Sequence, residues 1–109
     1  MREYVISDLK PAETQALEEA LTARNLAAGI EHLYWLPVSE LTAVQKEHAA
    51  SCGPHVVALE VEETALRMEL LIRAKNRLRC DCIAYADAGQ TRALLASLHE
   101  LLAELGIQC

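Results

Sequence analysis

Phenylalanine is absent from this chain, tryptophan occurs once and tyrosine three times, so aromatic residues make up only 4% of its 109 positions. The core is therefore expected to be aliphatic, built from Leu, Val, Ile and Ala, with Trp35 as its one large anchor. Glycine and proline are also scarce, four and three residues, which argues against long irregular loops and leaves no material for a Gly-rich phosphate cradle. No apolar run reaches the roughly 18 residues that a membrane-spanning helix needs. The opening MREYVISDLKP lacks the basic-then-apolar layout of a signal peptide. Both absences predict a cytoplasmic protein with no membrane partner. Ten basic residues face sixteen acidic ones, a net charge of −6. Because Lys and Arg drive non-specific nucleic-acid binding by releasing counterions, nucleic acid is excluded as an expected partner.

What is present is a hydrophobic fraction of 52% in a length that fits one domain, residues 1–109. EYVI at 3–6 predicts a strand, and Pro11 then opens a helix over about 11–27, where its missing N–H costs nothing. Ala16, Leu17, Ala20, Leu21, Ala23 and Ala27 give that helix its apolar face, and Gly29 is expected to stop it. EHLYWLP at 31–37 predicts a second strand, which a right-handed crossover would set parallel to the first. Thr42 and Gln45 have capping-box spacing, predicting a short helix over about 40–51 ended by Gly53. From residue 55 the apolar period changes to two, predicting three strands near 55–61, 65–73 and 78–85 in an antiparallel meander. Asp87, with Gln90 three residues on, caps a last helix whose stripe is Leu94, Leu98, Leu101 and Leu105. Gly106 ends it, and Ile107 is placed to fold back on Leu102. The expected fold is α+β: one layer of a mostly antiparallel five-stranded sheet, in the order β-α-β-(α)-β-β-β-α, with helices on one face.

Four cysteines in a reducing compartment are expected as thiols or ligands rather than disulfides. His48 and Cys52 are four apart on the short helix and share a face, and His55 follows its end. Cys80 and Cys82, two apart on the last predicted strand, also share a face. Together they form a soft Cys/His set suited to zinc or iron, with Cys52, Cys80, Cys82 and either His48 or His55 as the expected ligands. Strand register argues for a plainer use. A three-residue loop at 75–77 sets Leu70 opposite Cys82 and Ile72 opposite Cys80. A two-residue loop would bury Asp81, at a cost of several kcal/mol. Both thiols then point inward as small core hydrophobes. Extending the register leaves His55 opposite Ile72, about 9.6 Å from Cys80 at the backbone. Catalysis by Cys52 with His48 or His55 ranks last, because a helix C-terminus disfavours a thiolate. Cys109 is expected as an exposed terminal thiol. His32 and His99 have no spacing partner and are expected as ordinary surface imidazoles.

Arg67, Arg73, Lys75, Arg77 and Arg79 crowd half of the chain's basic residues into thirteen positions. In that register Arg67, Arg73 and Arg79 share the outward sheet face with Glu69 and Asp81, a solvated and partly self-neutralised surface. Leu71, Ile83 and Tyr85 interrupt the charges, a composition that suits a protein interface. No catalytic motif of the Ser/His/Asp or HExxH kind is present. The leading expectation is thus a non-enzymatic association module. It would form a homodimer through Arg67, Leu71, Arg73, Arg79, Ile83 and Tyr85. A small zinc- or iron-binding protein is second, and no cofactor is firmly implied.

Overall fold

The computed structural model of the chain describes residues 2–108, so Cys109 lies outside the described residues. The elements are β1 (Glu3–Ile6), α1 (Pro11–Ala23), β2 (Leu33–Pro37), α2 (Ala43–Cys52), β3 (His55–Val61), β4 (Leu66–Glu69), β5 (Leu71–Ala74), β6 (Ala84–Tyr85) and α3 (Ala88–Glu104). The fold is α+β, as the composition and periodicity predict, with six strands where five are expected. Helix boundaries follow local chemistry. Pro11 is the first residue of α1, and the Glu13 carboxylate accepts from the Lys10 N–H at 2.9 Å. That helix stops well before Gly29, because Asn25 takes the left-handed conformation just beyond Arg24. Thr42 and Asp87 cap α2 and α3 through the capping boxes read from the sequence. At the other end of α3, Gly106 has φ +72°, and the Ile107 N–H reaches the Leu102 carbonyl at 2.9 Å, the expected fold-back.

Every strand pairing among the described residues is antiparallel. The parallel crossover expected for the first two strands is not formed. β1 pairs with β4, and β2 pairs with the far edge of β3, so the two strands are not neighbours. In β3 and β4, Val61 faces Leu66 and Leu59 faces Met68, the predicted register. Beyond that point β3 advances three residues, to Val56, while its partner advances five, to Arg73. The two extra residues bulge around Leu70, whose N–H reaches Arg2 and whose carbonyl accepts from Ala86. An insertion of two preserves the side-chain parity, so Leu66, Met68, Ile72 and Ala74 all remain inward and buried. It also moves His55 from opposite Ile72 to opposite Ala74.

One cluster unites the inward strand residues with Leu17 and Leu21 of α1 and with Leu94, Leu98, Leu101 and Leu102 of α3. Both long helices therefore cover the same sheet face. Trp35 is not part of this core. It pairs with Ala58 on the opposite face and is half-buried, while its neighbour Tyr34 is inward and donates to Glu18 at 2.9 Å. A second, small cluster of Cys52, Ala74 and Cys82, with Cys80 and Ile83 against it, forms where α2 meets the end of β5.

Candidate metal centre

Two turns build the site. At the end of α2 the chain reverses through Gly53. A Cβ on that residue would lie 2.5 Å from the Ala49 carbonyl oxygen, so no other side chain fits without moving backbone. Pro54 follows, and His55 is the first residue of β3. The turn after β5 docks onto this corner. The Asn76 N–H donates to the Cys52 carbonyl at 3.1 Å, its side-chain amide donates to the Gly53 carbonyl, and the Lys75 N–H donates to Pro54 at 3.0 Å.

The chain between this corner and β6 is not a strand. Strand pairing in the β5–β6 hairpin is confined to Leu71 opposite Tyr85 and Ile72 opposite Ala84, in place of the expected pairing of Ile72 with Cys80 and Leu70 with Cys82. Residues 80–83 form a turn instead, closed by the Ile83 N–H on the Cys80 carbonyl at 3.0 Å. The consequence is large. On a strand, side chains two apart are separated by about 6.6 Å along the chain, but here the Cys80 and Cys82 sulfurs stand 2.8 Å apart. The Cys82 N–H also points at the Cys80 sulfur, at 3.4 Å. Cys82 is 1% exposed, as expected for an inward thiol, whereas Cys80 is only partly buried.

Cys52, the last residue of α2, brings its sulfur to 3.4 Å from that of Cys80. One helical turn earlier, His48 places Nδ1 at 4.0 Å from the Cys52 sulfur. The ligand atoms of His48, Cys52 and Cys80 all lie within 4.8 Å of one another, close enough to hold one metal ion. Cys82 adjoins this triad through Cys80. His55, the fifth expected ligand, is outside it: the ring is 4% exposed, and its Nε2 is buried without a hydrogen-bond partner. Burial, and next the neighbouring His48 ring, lower the His55 pKa. The thiols are driven apart in the same way. Burial, with the Cys80 sulfur beside it, pushes Cys82 up to about 12. Cys80 is lowered, first by the hydrogen bond from the Cys82 thiol and then by the one from the Cys82 N–H.

One functional connection could not be read from spacing. Gln45 and Gln90, each the third residue of its helix and the partner of its cap, meet in the interior: Gln90 Nε2 donates to Gln45 Oε1 at 2.8 Å and to the Glu40 carbonyl at 2.8 Å. Gln45 Nε2 in turn donates to the Cys82 carbonyl at 3.2 Å. The start of α3 is thereby tied through α2 to the cysteine turn. Neither glutamine carries a sequence signal beyond its cap.

The outward-face residues expected at an interface are distributed as follows. Arg67 is held by Glu3 at 2.9 Å and Glu62 at 3.0 Å, and Arg73 by Glu69 at 2.8 Å. Leu71 and Ile83 are half-buried, Arg79 is exposed, and Tyr85 carries the Arg2 guanidinium 5.0 Å above its ring. Two of the five cations of the basic strip, Arg67 and Arg73, are thus paired with carboxylates. No helix of the described residues is long and apolar enough to cross a membrane. Comparison with protein-family models, with curated proteins and with solved structures found no match.

Proposed function

We propose that this protein binds a single soft transition-metal ion, zinc before iron, through Cys52, Cys80, Cys82 and His48. The observation that carries the proposal is the convergence of His48, Cys52 and Cys80 from α2 and the 80–83 turn onto one point. A tetrahedral zinc with Zn–S bonds of about 2.3 Å requires sulfurs about 3.8 Å apart and a sulfur–nitrogen separation of about 3.6 Å. The separations of 3.4 Å and 4.0 Å lie within half an ångström of these. Cys82 adjoins these three through Cys80 and must turn its sulfur away from that 2.8 Å contact to join them as the fourth ligand. Three thiolates and an imidazole favour zinc among common ions, and stabilising those thiolates supplies the driving force to deprotonate even the buried Cys82.

Elemental analysis of protein purified without a polyhistidine tag tests this. One zinc per chain is expected, surviving dialysis and lost in Cys80→Ser. Absence of any stoichiometric metal after growth with added zinc would sink the proposal. Cobalt substitution offers a second readout, since thiolate ligation gives intense near-ultraviolet charge-transfer bands.

A second reading, self-association through the open sheet face, is favoured by a different observation. Leu78 is 98% exposed and Tyr85 and Val5 are also exposed. Beside Leu78 lies a hollow of about 320 Å³ whose walls include Trp35, Val56 and Ile83. An apolar surface of this kind on a face that neither long helix covers is suited to a second copy of the chain.

A further inference from the structure

We infer that Cys80 is a peroxide-reactive thiol and that Cys82 closes on it, so that the 80–82 segment forms an intramolecular disulfide under oxidation. This goes beyond metal binding and does not rest on it, because every observation used concerns the metal-free thiols. Cys80 is the central sulfur of a row of three, 2.8 Å from Cys82 and 3.4 Å from Cys52. It accepts from both neighbouring thiols and from the Cys82 N–H. These contacts hold the Cys80 sulfur between its two neighbours. It is also the only one of the three that is not fully buried. The attacking sulfur is thus the accessible one, and the resolving sulfur is the protected one already in contact with it. Cys52 is the slower alternative, since it is farther away and fixed at a helix end.

The chemistry balances with hydrogen peroxide as oxidant. The Cys80 sulfur, its proton released to solvent, attacks one peroxide oxygen; an S–O bond forms, the O–O bond breaks, and the departing hydroxide is protonated to water. Sulfur is oxidised by two electrons to sulfenic acid as the peroxide is reduced. The Cys82 sulfur then attacks the Cys80 sulfur, an S–S bond forms, the S–O bond breaks, and hydroxide leaves with the Cys82 proton as a second water. To reach the disulfide length of about 2.05 Å the two sulfurs approach by less than 1 Å. The turn held by Ile83 N–H on Cys80 and by Gln45 on Cys82 already places them face to face.

The test is made on the full-length wild-type chain, stripped of metal by a chelator and treated with stoichiometric peroxide. Trypsin cuts after Arg79 and Arg92, so Cys80 and Cys82 share one peptide, while Cys52 and Cys109 each lie on another. The expected product is the 80–92 peptide lighter by two hydrogens and resistant to thiol alkylation. Cys80→Ser is expected to slow thiol loss by about tenfold or more. In Cys82→Ser, the product expected is a Cys52–Cys80 cross-link. Oxidation at the same rate as in the urea-unfolded chain would overturn the inference, as would a Cys52–Cys80 link as the main product of the wild type. Because the wild-type map needs no variant, a misfolded mutant cannot obscure the result. Zinc added beforehand should slow the reaction; if it does not, the metal proposal fails while the disulfide inference stands.

Discussion

His32 shows how little of a side chain's environment is visible from its neighbours in the chain. Expected as an ordinary strand-end imidazole with no spacing partner, it sits at φ +67° before β2, with Nδ1 2.8 Å from Glu18 and Nε2 3.2 Å from Glu31. Glu18 comes from α1, and the turn that returns the chain to β2 delivers the pairing. The hydrogen bond with Glu18 raises the His32 pKa above 6.5. A raised folded value means that the folded state binds the proton more tightly than the unfolded state. The pair's stabilisation is therefore complete below about pH 6.5 and fades as pH climbs through the folded value. Proton NMR titration should place His32 above 6.5 in the wild type and nearer 6.5 in Glu18→Gln, and a wild-type value at or below 6.5 would refute the pairing. Trp35 is the opposite lesson. Its size marks it for the core, but strand parity is decided by the flanking Tyr34 and Leu36, and it faces out.

Among the elements, α2 depends most on tertiary structure. Its cap and its end at Gly53 were legible in Thr42, Gln45 and the glycine itself, while its use of Gln45 as a strut under the cysteine turn was not. Gln45 is 1% exposed and serves three groups: the Thr42 N–H, the Gln90 amide and the Cys82 carbonyl. Replacing it by Met leaves those groups without their partner in the interior. Urea unfolding should show a loss of about 1–3 kcal/mol, more than for Thr42→Ala, which removes only a cap worth about 1 kcal/mol. Equal losses for the two variants would mean that the buried links contribute nothing. The misread strand at 78–85 has a related cause. Alternation of Cys80, Asp81 and Cys82 satisfies the period-two rule, but Asn76 and Asp81 are turn-forming residues. The docking of Asn76 on Cys52 and Gly53 then holds the segment in a loop.

At the scale of the molecule, α1 and α3 cover one sheet face, and the other carries neutralised charge pairs with apolar residues between them. The proposed self-association uses that second face. Sedimentation at high micromolar concentration should then give a dimer, and Leu78→Glu combined with Tyr85→Glu should return it to monomer; a wild-type monomer removes this reading. The sequence by itself determined the fold class, both capped helices and the inward residues of β3 and β4, and among its five candidate ligands were the three, His48, Cys52 and Cys80, that the fold brings together. Each of these follows from periodicity or from a cap within a few residues, where local sterics and hydrophobic pattern act directly. Tertiary structure alone decided the strand order, the two-residue bulge at Leu70 and the meeting of three sulfurs from segments 28 residues apart. Those depend on which distant backbone groups satisfy one another, such as Asn76 with Cys52 and Gln45 with Cys82. A choice of that kind is made by packing and hydrogen-bond closure over the whole chain, and no local pattern encodes it.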